Sequence, residues 1–367
     1  MKKILVASDK FKGSMTAVEA CMAIAAGMED HIAVTQIPVA DGGDGMASTL
    51  TSARKGSWIE IQVNNALRTP VTAGYGLIDN GRTAVIEMAE ASGLHKIGDS
   101  PKDPWRATTF GTGELIRDAI NRGVRKILLG IGGSATNDGG TGMAEALGFR
   151  FFGIDGIPLS NLPANLEKVE RITPPDDFSN FPEITVACDV TNPLLGPEGA
   201  TTVYGPQKGI NFDDLPRHES RLRHLVRITD GTAMGTLPGS GAAGGLGFGA
   251  LYFLHASLQP GFEIIAGFLQ LEKAISEADL IITGEGKIDG QSLQGKAPTG
   301  VAQLAKKYGK PVYAFCGLLG DGDFSDTFDK IWQIDRGNLS VEESMKCGFD
   351  LLKKTAVSAA PEISRSL

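Results

Sequence analysis

The sequence predicts an α/β protein, with a doubly wound parallel sheet that is interrupted by an inserted second domain. Short β-branched runs ending in small or acidic residues alternate with helical patterns, which is typical of parallel α/β folds. Between about residues 58 and 88 the pattern changes to alternating strands, which indicates antiparallel pairing. From Asp279 onward the first pattern returns, so we expect the last strands to join the first two in one sheet.

A strand and a capped helix open the chain. The apolar run 4–7 follows Lys2 and Lys3 but is only four residues long, so it predicts a strand and not a signal peptide. Thr16 and Glu19 have the spacing of a capping box and predict the start of a helix. The expected core face of this helix consists of Val18, Cys21, Ile24, Ala25 and Met28.

The second strand, 34–39, contains Pro38, which lacks a ladder donor and therefore indicates an edge position or a strand end. Antiparallel strands are expected around 59–63, 71–75 and 84–88. Later elements are a helix at about 113–122, strands at 126–131 and 184–188, a surface excursion at about 153–182, and a helix of small residues from 239. The returning parallel strands are expected at 279–283, 311–317 and 330–334.

These patterns place the domain boundaries near residues 57 and 270. Residues 1–57 and 270–367 form the parallel-sheet domain, and residues 58–269 form an inserted α/β domain with a mixed sheet. We expect the active site in the cleft between the two domains, because ligands of open α/β sheets bind at the carboxyl ends of the strands.

Charge and composition exclude several classes of protein. The net charge of −8 and the lack of a basic run argue against a nucleic-acid partner. The four cysteines have no CxxC spacing, which favours a reducing cytoplasm over a disulfide framework. No apolar stretch approaches the roughly 18 residues of a membrane helix, so we expect no membrane partner. The five histidines show no zinc-ligand spacing.

Glycine is over-represented, since it occupies 48 of 367 positions, whereas average usage is roughly 7%. Two short glycine motifs are weak. The segment 239–244 matches GxGxxG, but no strand precedes it. The segment 290–297 resembles a P-loop except that Ala297 lacks the hydroxyl that binds Mg²⁺. We instead expect most of the surplus glycines to line one cleft, where the backbone approaches phosphate and substrate.

Acidic and basic residues stand in the glycine-rich loops that follow strands. Any one of these acids is more often an ordinary helix cap or turn residue, but their recurrence in six positions favours a site for phosphate and Mg²⁺. The acids are Asp41, Asp44, Asp138, Asp189, Glu285 and Asp289, and the basic residues are Lys10, Lys12, Lys208 and Lys287.

Seven segments, taken in order, closely resemble the type-1 glycerate kinase family. They are 8–14 (SDKFKGS), 38–45 (PVADGGDG), 111–116 (GTGELI), 130–140 (GIGGSATNDGG), 187–194 (ACDVTNPL), 205–209 (GPQKG) and 283–289 (TGEGKID). The resemblance implies a flavodoxin-like (Rossmann-type) domain carrying an inserted α/β domain. It also implies phosphorylation of D-glycerate by ATP with Mg²⁺, at the 2-hydroxyl, in a monomer or small homo-oligomer.

Within these segments we assign candidate roles. Asp189 is the preferred base for the substrate hydroxyl, because it follows a strand expected to be buried, and Asp41 and Asp138 are rival bases. The catalytic set is Asp189, Lys12 and Asp41. The expected substrate-binding residues are Asp9, Lys12, Ser14, Asp138, Asn192 and Lys208. The expected nucleotide-binding residues are Gly132, Gly133, Ser134, Gly284, Glu285, Gly286 and Lys296, and the Mg²⁺ ligands are Glu285 and Asp289.

Two other functions remain open from the sequence. One is a nicotinamide-dependent oxidoreductase of a small hydroxy acid, which would need the GxGxxG segment to follow a strand. The other is a non-catalytic protein that binds an organic acid.

Overall fold

Strands and helices alternate along the chain in a computed structural model that describes residues 2–29, 32–40, 42–43, 45–176, 178–290, 296–334 and 336–367. The strands are β1 (Lys3–Ser8), β2 (Ala33–Gln36), β3 (Ser57–Asn64), β4 (Pro70–Ile78), β5 (Thr83–Glu87), β6 (Lys126–Gly130), β7 (Arg150–Phe152), β8 (Arg171–Thr173), β9 (Glu183–Ala187), β10 (Ser257–Gln259), β11 (Leu280–Ile288), β12 (Val312–Leu319) and β13 (Lys330–Gln333). The α-helices are α1 (Ala17–Ala25), α2 (Met46–Ala53), α3 (Ala89–Ser92), α4 (Phe110–Asn121), α5 (Thr141–Ala146), α6 (Leu162–Asn165), α7 (Ala200–Tyr204), α8 (Leu215–Ile228), α9 (Thr232–Gly235), α10 (Ala242–Leu254), α11 (Gly261–Phe268), α12 (Leu271–Glu277), α13 (Ala297–Lys307), α14 (Val341–Lys346) and α15 (Gly348–Ser366).

The chain divides into two units, here called the terminal unit (Met1–Asp41 with Phe262–Leu367) and the inserted unit (Gly42–Gly261). In the terminal unit, five parallel strands lie in the order β13-β12-β11-β1-β2. If the five strands are numbered in chain order and read from the β2 edge, this is the 2-1-3-4-5 order of flavodoxin-like folds. The predicted parallel sheet, built from the first two strands and the last three, is confirmed.

Each face of this sheet has its own core because neighbouring side chains of a strand point to opposite faces. Ile4 and Val6 of β1 belong to the apolar cluster that includes α1 and α15. Leu5 and Ala7 belong to the cluster that includes α12 and α13. The run of apolar residues in β1 is therefore buried on both sides, as expected for a central parallel strand.

Helix α1 begins where the sequence predicts, but one residue of its expected core face is wrong. The capping box is present, since the Glu19 amide donates to Thr16 Oγ1 at 3.2 Å and the Thr16 amide donates to Glu19 Oε2 at 2.8 Å. Cys21 and Ile24 are buried, whereas Val18 is 37% exposed. The buried stripe begins at Ala17, so Val18 lies about 100° around the helix from it, toward solvent.

The inserted unit contains the expected mixed sheet, in the order β10-β9-β6-β5-β4-β3. Strands β3, β4 and β5 are antiparallel neighbours, and β5, β6, β9 and β10 run parallel to one another. Helix α2, which the sequence pattern placed in the first domain, packs against β4 and β5 and belongs to the inserted unit.

The expected surface excursion at 153–182 is wrong for its central part. Strands β7 and β8 flank this part and pair with each other, and the segment between them buries Leu162, Leu166 and Val169 completely. These three side chains join the main core of the inserted unit. Turn residues around them gave the segment a polar appearance, and the apolar residues were too widely spaced to stand out.

Helix α15 is the longest helix in the described ranges, at 19 residues, and it carries charged residues that include Lys353, Lys354 and Glu362. No helix in those ranges combines the length and the apolar character that a membrane span requires.

Candidate active site

In the terminal unit, the candidate residues gather where β1 ends beside the last part of β11. The order of the sheet reverses at this pair of strands, which is where ligands of open α/β sheets bind. The Asp9 amide donates to the Gly284 carbonyl at 2.9 Å, and Asp9 is almost fully buried. A Cβ on Gly286 would lie 3.1 Å from the Lys12 amide nitrogen, so the loop after β1 crosses directly over Gly286.

The segment Gly284–Gly286 differs from the sequence prediction, because it is strand and not loop. Strand β11 continues to Ile288 and keeps a regular parallel register with β12 through Glu285. Its glycines permit close packing, since a Cβ on Gly284 would lie 2.7 Å from the Phe315 carbonyl oxygen. A nucleotide that reaches this segment would therefore meet the end of a strand.

Glu285 and Lys296 come close together at the start of α13. Glu285 is 6% exposed, and its Oε2 lies 3.9 Å from Lys296 Nζ. Lys296 is the N-cap residue of α13, with Pro298 in the first turn, so the helix begins beside this pair. The rest of the P-loop-like segment, 291–295, lies outside the described residues.

Two further candidates of the terminal unit, Asp289 and Ser14, have partners in the protein. Asp289 Oδ2 forms an ion pair with Lys287 Nζ at 2.8 Å. The Ser14 hydroxyl donates to the Met345 carbonyl at 2.6 Å, which gives it a structural role next to α14. Lys12 is exposed. Asp41 lies outside the described residues.

In the inserted unit, two glycine-rich segments meet Asp189 at the carboxyl ends of β6 and β9. A Cβ on Gly132 would lie 3.2 Å from Gly43 Cα, and a Cβ on Gly42 would lie 3.2 Å from Asp189 Oδ2. Gly42 has φ of 85°, where glycine is strongly favoured. The structure thus brings together the loop before α2, the segment 132–134 after β6, and Asp189 after β9.

Asp189 lies at this edge but is not buried as expected. Its side chain is exposed, and Oδ1 accepts a hydrogen bond from the Gly261 amide at 2.7 Å. This bond fixes the carboxylate while Oδ2 faces the loop at Gly42. Asn192 lies in the following turn, where its amide donates to the Glu198 carbonyl at 2.8 Å and its oxygen accepts from the Tyr204 hydroxyl at 2.6 Å.

Asp138 is fully buried, and hydrogen bonds from the protein occupy its carboxylate. Oδ2 accepts from the amide and hydroxyl of Thr109 at 2.8 and 2.9 Å, and also from Thr108 and Gly142. Oδ1 accepts from the Gly140 amide at 3.1 Å. These hydrogen bonds give the carboxylate a structural role, and its direct contact with substrate stays a prediction from the sequence. Its carboxylate holds the loop after β6 and the start of α4.

Lys208 is buried under the same loop, at 2% exposure. Its Nζ donates to the Thr136 carbonyl at 2.7 Å. Burial lowers the pKa of Lys208 to about 7, although the negative charge of Asp138 opposes this shift. In this structure the ammonium faces the protein interior and not an open ligand site.

Sequence reasoning missed Glu87, which caps α2 from the end of β5. Its Oε1 accepts from the Ala47 amide at 2.8 Å, in the first turn of the helix, where a carboxylate is stabilising. The signal was present, since an acid interrupts an otherwise apolar strand at 84–88.

Sequence reasoning also missed a buried pair in α8, Arg221 and His218. Arg221 is 1% exposed and donates from Nη1 to Nδ1 of the fully buried His218 at 3.1 Å, so His218 is neutral with its proton on Nε2. The Trp105 ring lies 4.0 Å from the His218 ring. Burial and the Arg221 charge lower the pKa of His218 to about 4. Helix α8 has a charged, amphipathic sequence, and nothing in it marks this arginine as buried.

The GxGxxG segment and the glycines of α10 that follow it pack closely against other backbone, and within the described residues 178–290 no strand directly precedes the segment. A Cβ on Gly244 would lie 1.9 Å from the Thr136 carbonyl oxygen, and a Cβ on Gly249 would lie 2.6 Å from the Gly139 carbonyl oxygen. These glycines bring α10 against the loop at 136–140. The expectation that most surplus glycines approach phosphate is therefore wrong for this group.

Comparison with known proteins agrees over almost the whole chain. A sequence model of the glycerate kinase family matches residues 4–364. The chain is 41% identical to a glycerate kinase of Halalkalibacterium halodurans over 98% of each sequence. It is 41% identical to a glycerate 2-kinase of Escherichia coli, over 87% of this chain and 86% of the relative.

A solved structure shares the fold as well as the sequence. A crystal structure of a glycerate kinase 2 from Salmonella typhimurium LT2 is similar with a TM-score of 0.90 and 38% sequence identity. The similarity covers 99% of this chain and 98% of the other. The chain therefore belongs to the glycerate kinase family.

Proposed function

We propose that this chain transfers the γ-phosphoryl group of ATP to D-glycerate, and that the 2-hydroxyl is the acceptor, which makes 2-phosphoglycerate the product. Membership of the family makes the chain a kinase, and the name of the Escherichia coli relative supports the 2-position. The observation that carries the proposal is the position of the glycine-rich segments, which follow a parallel strand in the inserted unit and form the last part of β11 in the terminal unit.

Asp189 is the proposed base for the substrate hydroxyl. The Gly261 amide orients its carboxylate, and Asp189 is exposed, so a substrate hydroxyl can reach it. The rival Asp138 has five hydrogen bonds from the protein and no exposed surface, which argues against direct proton transfer. Asp41 remains a proposal from the sequence alone.

The two cations that we expected to bind anionic groups take different proposed roles. Lys12 is exposed beside Gly286 and would contact an anionic group, such as a phosphate or the glycerate carboxylate. Lys208 would act from below the loop at 132–138. Its hydrogen bond holds the Thr136 carbonyl, and in its protonated form the ammonium favours anions at the loop surface.

The proposed nucleotide-binding segments are Gly132–Ser134 in the inserted unit and Gly284–Gly286 with Lys296 in the terminal unit. Gly133 has φ of 71° and is exposed, so its backbone is accessible to a phosphate oxygen. Lys296 at the N-cap of α13 adds a positive charge at a helix N-terminus, a favourable place for a phosphate.

The donor set of Glu285 and Asp289 fits Mg²⁺ that is held mainly by phosphates. The described residues contain no group of three or more metal-ligating side chains. Mg²⁺ in kinases needs only one or two carboxylates besides phosphate oxygens and water. Glu285 and Asp289 would hold the ion, and Lys287 would have to release Asp289 first. When bound, Mg²⁺ neutralises the charge that develops on the phosphates.

A coupled assay tests this function. Purified protein, MgATP and a panel of D-glycerate, L-glycerate, lactate and tartrate are followed for ADP release, and the product of the active acid is analysed by phosphorus NMR. We expect release with D-glycerate and coupling of phosphorus to the proton on carbon 2. No release with D-glycerate would overturn the function, whereas phosphate on carbon 3 would overturn only the position. We also propose that the protein is cytosolic and that it is a monomer or small homo-oligomer. Light scattering after gel filtration would check the oligomeric state.

A further inference from the structure

A pocket of about 390 Å³ lies in the inserted unit beside the start of α2. This volume is within the range of small-molecule sites. The residues lining the pocket include Gly45, Ser48, Trp58, Glu87, Glu90 and His95. None of these residues belongs to the motifs that the proposed function uses, except Gly45 at the end of the 38–45 segment.

Trp58 forms a fixed aromatic wall of this pocket. It lies on the edge strand β3 and remains 41% exposed. Its indole covers Gly74 of the neighbouring strand, where a Cβ would lie only 2.3 Å from Trp58 Nε1. One part of the ring is thus packed on the sheet through a glycine, while the exposed part is available to a flat ligand.

The negative charge of the pocket makes the binding of an anionic ligand unfavourable. Glu87 and Glu90 both line it. In the described part of the chain, the Glu90 contacts to Lys96 Nζ at 3.3 Å and to the Gly74 amide at 3.4 Å both involve Oε2, so Oε1 remains available to accept a hydrogen bond. Glycerate and phosphate would be repelled here. A neutral aromatic ligand with hydroxyl or amino donors would fit.

Both sides of the pocket connect to the proposed phosphate-binding loop. His95 follows Leu94, whose amide donates to the Gly133 carbonyl at 3.0 Å, and Gly93 forms a β-bridge with Ser134. On the other side, Gly45 is two residues along the chain from Gly43, which packs on Gly132. A ligand with phosphates at 132–134 could therefore extend its uncharged end into the pocket.

We propose that this pocket binds the nucleoside part of the phosphoryl donor, with the purine base stacked on Trp58. This inference rests on the proposed use of ATP. The carboxylates accept hydrogen bonds from ribose hydroxyls or from the base amino group, as acidic residues do in other nucleotide sites. Stacking on an aromatic side chain is tolerant of ring identity, so other purine triphosphates are expected to bind as well.

The test compares Trp58→Ala with Trp58→Phe and with Phe212→Ala. Phe212 is an exposed aromatic residue of the same unit, at 80% exposure. For Trp58→Ala we expect the KM for ATP to rise about tenfold or more, as loss of a base stack predicts, with little change in the KM for D-glycerate. Trp58→Phe should retain most of the ATP affinity, and Phe212→Ala should match the wild type.

Calorimetric titration with ATP and with inorganic tripolyphosphate provides a readout without catalysis. Trp58→Ala should weaken the binding of ATP and leave that of tripolyphosphate unchanged, because tripolyphosphate has no base. Unchanged ATP affinity, equal weakening of both ligands, or absence of ATP binding by the wild type would overturn the inference. ATP binding that depends on Trp58 without transfer to glycerate would support the pocket and overturn the proposed function. Phosphoryl transfer to glycerate together with ATP binding that does not depend on Trp58 would support the proposed function and overturn the inference about the pocket.

Discussion

Asp189, the preferred base from the sequence, and its rival Asp138 have opposite environments in the structure. Asp138 and Asp189 both follow parallel strands of the inserted unit. Asp138 is fully buried with five hydrogen bonds, whereas Asp189 is exposed with its carboxylate oriented by the Gly261 amide. A buried carboxylate that satisfies several backbone amides stabilises a loop, while an exposed and oriented one is suited to proton transfer.

The pair Asp138→Asn and Asp189→Asn tests this assignment. In Asp138→Asn an amide group replaces one acceptor oxygen, so we expect a loss of roughly 1–3 kcal/mol in the free energy of unfolding. Asp189→Asn should fold with wild-type stability and lose kcat by roughly 10²-fold or more, since a general base contributes this much. Urea unfolding and steady-state kinetics measure the two effects. Near-normal kcat in Asp189→Asn, or full stability in Asp138→Asn, would contradict the assignment.

At the scale of elements, the sequence predicts the parallel and antiparallel strands well because their signals are local. The run at 4–7, the alternation at 59–63 and the capping box at Thr16 are all read from neighbours in the chain. The continuation of β11 through Gly284 and Gly286 was missed because glycine in a strand reads as a loop. Glycine is needed in this strand because Phe315 packs closely on Gly284 and the loop at Lys12 packs closely on Gly286. Both neighbours are distant in the sequence.

The candidate site was predictable only in part, for the same reason. Acids and glycines after strands marked the segments that meet in each unit. Burial of Asp138 and Lys208, and the roles of Glu87 and Trp58, depend on tertiary packing that no local pattern records. In the GxGxxG segment, a sequence pattern for nucleotide binding proved to be a pattern for close packing of α10.

Packing of α10 against the loop at 139–140 can be tested at a single glycine. Gly249 lies inside α10, and a Cβ there would be 2.6 Å from the Gly139 carbonyl oxygen and 2.7 Å from Gly140 Cα. Both neighbours are backbone, so Gly249→Ala should destabilise the inserted unit by roughly 1–3 kcal/mol. Gly267→Ala in α11 is the matched control, since nothing lies within 4 Å of its Cβ position. The control should be neutral or slightly stabilising, and equal thermal stability of both variants would refute the packing argument.

At the scale of the whole molecule, buried basic groups with lowered pKa values lie in the inserted unit. Lys208, His218 and Arg221 all lie there, and burial is the largest cause of the lowered pKa in each. A buried group with a lowered pKa makes folding depend on pH, because the unfolded chain binds a proton that the folded chain does not. Lys208 and Arg221 exert this effect at neutral and alkaline pH, so among these three groups only His218 makes the protein sensitive to acid.

His218 determines the direction and the range of this effect. Its pKa falls from 6.5 to about 4 on folding, so between these values the unfolded state is protonated and the folded state is not. The contribution of His218 to stability is therefore complete above about pH 6.5 and decreases as the pH falls toward 4, by up to about 3 kcal/mol. His218→Gln, which can still accept from Arg221, should remove most of this dependence, whereas His255→Asn at an exposed helix end should not. Urea unfolding at pH 7.0, 6.0, 5.0 and 4.5 measures it, and identical slopes for the wild type and His218→Gln would show that His218 is not the source.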